Sequence, residues 1–317
     1  MTANADFGPR GWTPERLPGL AERTFVITGG NSGIGYEAAR MLGAKGAAVT
    51  ILCRSKDKAG AAIAALKAAA PAGKFDYVLL NLADLSSVRA AAKNVRERHA
   101  KIDGLVNNAG IMMVPRRELT VDGFETQFGV NHLGHFALAG LLSDLVEAAG
   151  GRFVAVASLM HHYCPRIPFN NLMLERGYTP TRAYAQSKLA NLLYAIELNR
   201  RLEESGCRAR SYACHPGYSD TNLQSTGPSR LVAAVMKPMN AIFAQPASKG
   251  AIPTVLCAAG VEARAGGYYG PAGFQEMSGP VGQARIGRQA RDESAAAHLW
   301  ETSETLTGVG WPILKKG

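Results

Sequence analysis

Short, uncharged apolar runs alternate along the chain with longer stretches in which apolar residues recur every three or four positions. The runs Thr24–Thr28, Ala47–Cys53, Tyr77–Asn81, Leu105–Asn107, Phe153–Ala157 and Arg210–Cys214 predict strands, and Gly267–Gly270 a last one. Between them the periodicity predicts helices from about Ile34 to Leu42, over Lys58–Ala70, Ser86–His99, Phe124–Ala148 and Ala183–Glu204. Further helices are expected at Leu231–Phe243, Ser248–Ala259 and Ser294–Leu306. Repeated strand–helix units with buried strands predict an α/β protein, a doubly wound parallel sheet in a three-layer αβα sandwich. Residues 1–21 read as an N-terminal arm with a short turn at Trp12–Glu15. Residues 22–317 read as a single domain carrying an insertion at about 218–262.

Composition narrows the function classes. The 317 residues are 47% hydrophobic and 19% charged, ordinary for a globular protein. The formal charge of +10 raises nucleic acid as a partner. The basic runs stop at pairs (Arg116–Arg117, Arg200–Arg201, Lys315–Lys316) and no aromatic residues interleave with them, which argues against it. Cys53, Cys164, Cys207, Cys214 and Cys257 are odd in number and form no Cys-x-x-Cys, the pattern of reduced thiols in a cytoplasmic protein. Residues 1–20 do not read as a signal peptide, and no apolar run reaches the ~20 residues of a membrane span.

The candidate chemistry clusters at the ends of the expected strands. Thr28-Gly29-Gly30-Asn31-Ser32-Gly33-Ile34-Gly35 joins the first strand to the first helix. Its glycines permit a tight turn and a close backbone approach, and the helix N-terminus that follows suits a pyrophosphate. A carboxylate at the end of the second strand would select NAD, but Cys53-Arg54 stands there, and the Arg54 guanidinium can pair with a 2′-phosphate. NADP is therefore expected over NAD, with Asp57 nearby as the counter-indication. Asp84-Leu85 follows the third strand, where a carboxylate could reach an adenine amino group or cap the next helix. Asn107-Asn108-Ala109-Gly110 ends the fourth strand with residues small enough for a cofactor to approach.

Asn131 sits inside a helical pattern in Val130-Asn131-His132-Leu133-Gly134-His135, a poor interior choice that signals a local distortion. His132 and His135 have a metal-like spacing but no carboxylate beside them, so core or solvated histidines are the better reading; the same holds for His161-His162, which could also line a pocket. Ser158 ends the fifth strand. Tyr184 and Lys188 lie at i and i+4 of a helix, on one face. A neighbouring ammonium is expected to bring a phenol toward neutrality as a proton donor and acceptor.

In this order, TGGNSGIG, NNAG, Asn131, Ser158, YAQSK and His215-Pro216-Gly217 resemble the short-chain dehydrogenase/reductase family over roughly residues 22–270. Arg54, Asn131–Phe136 and Ser187–Asn191 look more narrowly like its retinol-dehydrogenase-like and WW-domain-oxidoreductase-like branch, which usually prefers NADP. The resemblance implies a Rossmann-like fold and an NADP-dependent alcohol dehydrogenase or carbonyl reductase. It makes Tyr184 the proton donor or acceptor, Lys188 the ribose ligand that lowers the Tyr184 pKa, Ser158 the holder of the substrate oxygen and Asn131 the positioner of a relay water. Gly29, Asn31, Ser32, Gly33, Ile34, Gly35, Arg54, Asp84, Leu85, Asn108, Ala109, Gly110, Pro216, Gly217 and Thr221 become the cofactor contacts, with Tyr184 and Lys188.

Two features depart from the most compact members. Tyr163–Thr181 lengthens the gap before Tyr184 and is expected to loop over the site, and Tyr218 stands where an aliphatic residue is common. The apolar stretch Leu231–Phe243, with Met236 and Met239, fits a lid over a hydrophobic alcohol, aldehyde or ketone, or simple packing on the core or another subunit. Homodimers and homotetramers are common in that family. A fold-sharing epimerase or dehydratase and a catalytically silent dinucleotide-binding regulator remain the alternatives. The first usually carries Gly-x-x-Gly-x-x-Gly, which is absent here; the second need not retain Ser158, Tyr184 and Lys188 together.

Overall fold

The computed structural model describes residues 7–218 and 245–314. The expected lid helix at Leu231–Phe243, and Thr221, lie outside the described residues. One eight-stranded sheet runs in the order β3-β2-β1-β4-β5-β6-β7-β8. Its strands are β1 Thr24–Thr28, β2 Ala48–Cys53, β3 Lys74–Leu79, β4 Gly104–Asn107, β5 Arg152–Val156, β6 Arg210–Cys214, β7 Tyr268–Pro271 and β8 Val281–Gln283. All neighbours are parallel except β7 and β8. The sheet is thus the expected doubly wound, Rossmann-like one, with an antiparallel β8 added. At three residues, β8 is too short to leave a periodic signal.

Helices cover both faces. One face holds α1 Gly33–Gly43, α2 Lys56–Ala69 and α8 Ala247–Ala259; their apolar sides meet β-strand residues such as Ile27, Ile51 and Val106. The other holds α3 Leu85–Arg98, α5 Gly134–Leu141, α7 Pro180–Glu204 and α9 Glu293–Thr307, packed around Phe136, Tyr194, Trp300 and Trp311. Two short helices, α4 Thr126–Phe128 and α6 Ser143–Ala149, flank α5. The arm joins the first layer: Trp12 is buried, pairs with Val281 of β8, and donates its indole N–H to Glu262 Oε2 at 2.8 Å.

Two elements differ from the sequence pattern. β3 begins three residues earlier than expected, because its first half alternates exposed Lys74 and Asp76 with buried Phe75, an edge-strand pattern. The single helix expected over Phe124–Ala148 is broken by a π-helical turn at Gly129–Leu133, in which Gly134 N–H reaches back to Gly129 O. Asn131 lies in the middle of that turn.

β1 is the switch point of the topology: β2 lies on one side of it and β4 on the other. Ligand sites in such sheets form in the crevice beyond the carboxyl ends of these strands.

Candidate active site

A cavity of about 730 Å³ opens at that crevice. At one end it is lined by Gly29 and by Asn31–Gly35, where β1 turns into α1. Gly29 has φ +67°, and a Cβ on Gly35 would stand 2.5 Å from Asn108 Nδ2, so neither position tolerates a side chain easily. Ser32 caps α1 without a side-chain hydrogen bond, whereas Ser55, Asp84 and Thr179 each accept from the first turn of their helices. The first-turn amides of α1 are thus left for an anion.

The carboxyl end of β2 adds Arg54, Ser55 and Lys58 to the lining. Lys58 had no signal of its own in the sequence; it arrives because Ser55 starts α2 and places it in the first turn. Asp84 and Leu85 do not line the cavity. One oxygen of the Asp84 carboxylate, Oδ1, caps α3, accepting from Ser86 N at 2.9 Å and Ser86 Oγ at 2.7 Å, and Leu85 N–H donates to Asp122 Oδ2. With β3 ending at Leu79, it is Leu80–Ala83 that face the cavity.

Asn108, Ala109 and Gly110 cross the middle of the site. Thr28 fixes them: its Oγ1 accepts from Asn108 N and Ala109 N, both at 2.9 Å, and its carbonyl accepts from Asn108 Nδ2 at 2.8 Å. Pro216, Gly217 and Tyr218 close the far side. The turn that carries them is held from within the motif and from outside it. Gly217 N donates to His215 Nδ1, Gln245 Nε2 donates to Pro216 O, and Tyr218 N donates to Met277 O. His215 Nε2 faces the buried Glu276 carboxylate at 3.6 Å, and a Cβ on Gly270 would collide with that ring. Glu276 and Gln245 are too distant in sequence from any motif to be found from it.

Ser158, Tyr184 and Lys188 meet in the same cavity. Ser158 follows β5, and Tyr184 and Lys188 project from one face of α7. Burial pushes the Tyr184 phenol up to about 12, against the pull of its hydrogen bond with Ser158. Burial lowers Lys188 to about 8. The direction for Tyr184 is opposite to the sequence expectation. The reason is geometric: Lys188 Nζ lies 5.7 Å from the phenol ring centroid and donates to Val156 O at 2.9 Å, so its charge is directed at the end of β5.

Asn131 is fully buried and outside the cavity lining. Its side chain clamps the Ile111 backbone, accepting from Ile111 N at 2.8 Å and donating to Ile111 O at 2.9 Å, and donates to Ser187 Oγ. His132 and His135 are core residues, bonded to Ser303 and Thr28 respectively. His161 is buried behind Ser158: Nδ1 donates to Ser158 O at 2.7 Å, since Nε2 accepts from Gly287 N. None of residues 163–181 lines the cavity; the segment reaches its wall where Thr181 Oγ1 donates to Met113 Sδ at 3.7 Å. Ile167, Leu172 and Leu174 are buried, Ile167 and Leu172 in the main core, and α7 holds the segment through Gln186 Nε2 to Leu172 O at 2.7 Å.

A parallel sheet with a glycine-rich anion turn at its switch point and a phenol, ammonium and hydroxyl facing one cavity defines a dinucleotide-dependent oxidoreductase scaffold. Comparison with known proteins makes the class specific. Residues 23–231 match the family model described as short chain dehydrogenase. The chain is 36% identical to retinol dehydrogenase 12 of Homo sapiens over 94% of its length and 90% of the relative's. It is also 36% identical to a short-chain dehydrogenase/reductase, drtF, of Aspergillus calidoustus, over 92% and 95% of the two chains. The crystal structure of an uncharacterised protein from Mycobacterium Paratuberculosis superposes with a TM-score of 0.79 at 40% identity, covering 95% of this chain and 99% of that one. The chain belongs to the short-chain dehydrogenase/reductase family, in its retinol-dehydrogenase-like branch.

Proposed function

We propose that the protein is an NADP-dependent oxidoreductase that interconverts an alcohol and a carbonyl on a hydrophobic small molecule. The observation that carries the reading is the convergence of Ser158, Tyr184 and Lys188 on one cavity whose other end is an anion turn beside Arg54 and Lys58. Bound there, the nicotinamide supplies or accepts hydride. Gly29 and Asn31–Gly35 would hold its pyrophosphate, Arg54 with Lys58 the 2′-phosphate, and Pro216–Gly217 the nicotinamide side. Thr221 and Asn131 keep their proposed roles as cofactor contact and positioner of a relay water, although the Asn131 side chain is already engaged. A short-chain dehydrogenase from Burkholderia cenocepacia, 26% identical to this chain with a TM-score of 0.60, was solved in complex with NADP.

Ser158 orients the reacting oxygen, and Tyr184 gives or takes its proton. A phenol held near 12 is protonated at neutral pH, the form needed to donate to a carbonyl. Lys188 near 8 can carry charge or release a proton close to operating pH. Ile111, Met112, Met113, Val130, Met160 and Tyr218 line the substrate end with Thr126, mostly apolar apart from the Thr126 and Tyr218 hydroxyls. Flexible methionines suit an apolar substrate of some length. Five free, buried cysteines fit a cytoplasmic protein; among the described residues no helix is long and apolar enough to cross a membrane.

The test is oxidation of NADPH and of NADH, followed by absorbance, against a panel of apolar aldehydes and ketones. NADPH is expected to be preferred, and Arg54→Asp to reduce that preference by about tenfold or more, as befits loss of a charge-assisted phosphate contact. An unchanged ratio removes Arg54 from the phosphate site.

A further inference from the structure

Among buried groups that the mechanism does not use, His135 joins two segments of the site. It is 2% exposed and lies one turn after Asn131. Its Nε2 stands 2.8 Å from Thr28 Oγ1, and its Nδ1 stands 3.0 Å from the Asn131 carbonyl. Hydrogen positions follow from the partners. Thr28 Oγ1 already accepts from Asn108 N and Ala109 N, so its own proton is available to donate. The near acceptor is His135 Nε2 at 2.8 Å; the alternative, Val106 O, is at 3.4 Å. The Asn131 carbonyl can only accept, so His135 Nδ1 carries the ring proton.

Asn131 Nδ2 donates to Ser187 Oγ at 2.9 Å, and Ser187 Oγ donates to the carbonyl of Tyr184 at 2.8 Å. One directed series of hydrogen bonds therefore runs from the amides of Asn108 and Ala109, through Thr28 and His135, to the Asn131 carbonyl, and a second runs from the Asn131 side chain through Ser187 to the backbone of Tyr184.

We infer that His135 is a positioning residue that ties the dinucleotide-facing turn of β4 to the π-helical turn at Asn131 and, through Ser187, to the helix that carries Tyr184 and Lys188. The π turn shifts the hydrogen-bond register of this segment by one residue, to Gly134 N–H on Gly129 O, and His135 adds a side-chain bond to it at the Asn131 carbonyl. Burial lowers His135 to about 4, so the ring stays neutral and keeps its one-donor, one-acceptor pattern at working pH. A phenylalanine would fill the space but leave both the Thr28 hydroxyl and the Asn131 carbonyl without this partner. A glutamine carries one acceptor and one donor at its amide and can serve both.

The kinetic part rests on the proposed reductase reading; the spectroscopic part does not. Imidazole 15N shifts of the histidine-labelled protein, assigned with His135→Gln, are expected to show His135 protonated at Nδ1 and bare at Nε2. The opposite tautomer overturns the inference whether or not a substrate is known. In turnover, His135→Phe is expected to lower kcat by about tenfold or more with little change in substrate KM, as misplacement of a catalytic group does. His135→Gln is expected to restore kcat to within a few-fold. If His135→Phe keeps the wild-type kcat, or if the two variants lose it equally at matched thermal stability, His135 only fills space. Should the wild type turn over no panel member, the reductase reading loses its support, and NADPH affinity of the same variants decides: weaker binding in His135→Phe with recovery in His135→Gln supports the tie, and equal affinities refute it.

Discussion

Tyr184 shows how far environment moves a side chain from its free behaviour. Almost wholly buried beside Ser158, with Lys188 aimed elsewhere, the phenol is stabilised in its neutral form. Under the proposed reaction, this favours proton donation at neutral pH and makes the reverse oxidation, which needs an acceptor, rise with pH. Tyr184→Phe removes one hydroxyl from a packed ring. It is expected to depress turnover by a factor of at least about a hundred, the lower bound of the general acid–base range, while NADPH affinity changes little. Steady-state rates together with NADPH fluorescence titration check this; turnover within a few-fold of wild type would take the acid role away from Tyr184.

The broken helix α4–π–α5 is the element on which the site depends. The sequence showed that something interrupts the run: Asn131 and Gly134 are poor helix formers in an otherwise apolar stretch. What it could not show is why Gly134 must be glycine. A Cβ there would sit 2.6 Å from Leu82 O, on the segment between β3 and α3 that lines the cavity. Such contacts join residues about fifty positions apart and leave no trace in local periodicity. Asp84 is the opposite case: the helix cap expected there is local, its Oδ1 accepting from the amide and hydroxyl of Ser86 two residues on. Strands β1 and β6 were by contrast legible to the residue. Gly134→Ala is expected to destabilise the protein by about 1–3 kcal/mol, the usual cost of overpacking, and to weaken dinucleotide binding by displacing Leu82. A thermal midpoint equal to the wild type would show that the helix can slide to make room.

At the scale of the whole molecule, the arm and the core histidines govern stability. Residues 1–21 read in sequence as an N-terminal arm, and Phe7, Trp12, Leu17 and Leu20 of it are buried in the layer that covers β1. Trp12→Ala would empty a fully buried site and leave Glu262 without its indole donor, so a loss of about 3–5 kcal/mol in denaturant unfolding is expected. A loss below ~1 kcal/mol would make the arm an appendage. On the opposite face, burial holds His132 near 3 and His135 near 4, whereas an unfolded histidine titrates near 6.5. Between those values the unfolded chain binds protons that the native core refuses, so stability must fall as pH drops from about 6.5 toward 4. Each histidine contributes about 1.4 kcal/mol per pH unit through that window. Unfolding free energy measured at pH 6.5 and pH 5 is therefore expected to drop by roughly 3 kcal/mol from these two groups, because the unfolded histidines are already half protonated at pH 6.5. His132→Gln, which cannot take up the proton, should flatten the slope by about half that amount. A variant that follows the wild-type slope would mean that His132 is protonated in the native core, and that Ser303 and the surrounding aromatic rings accommodate a charge there.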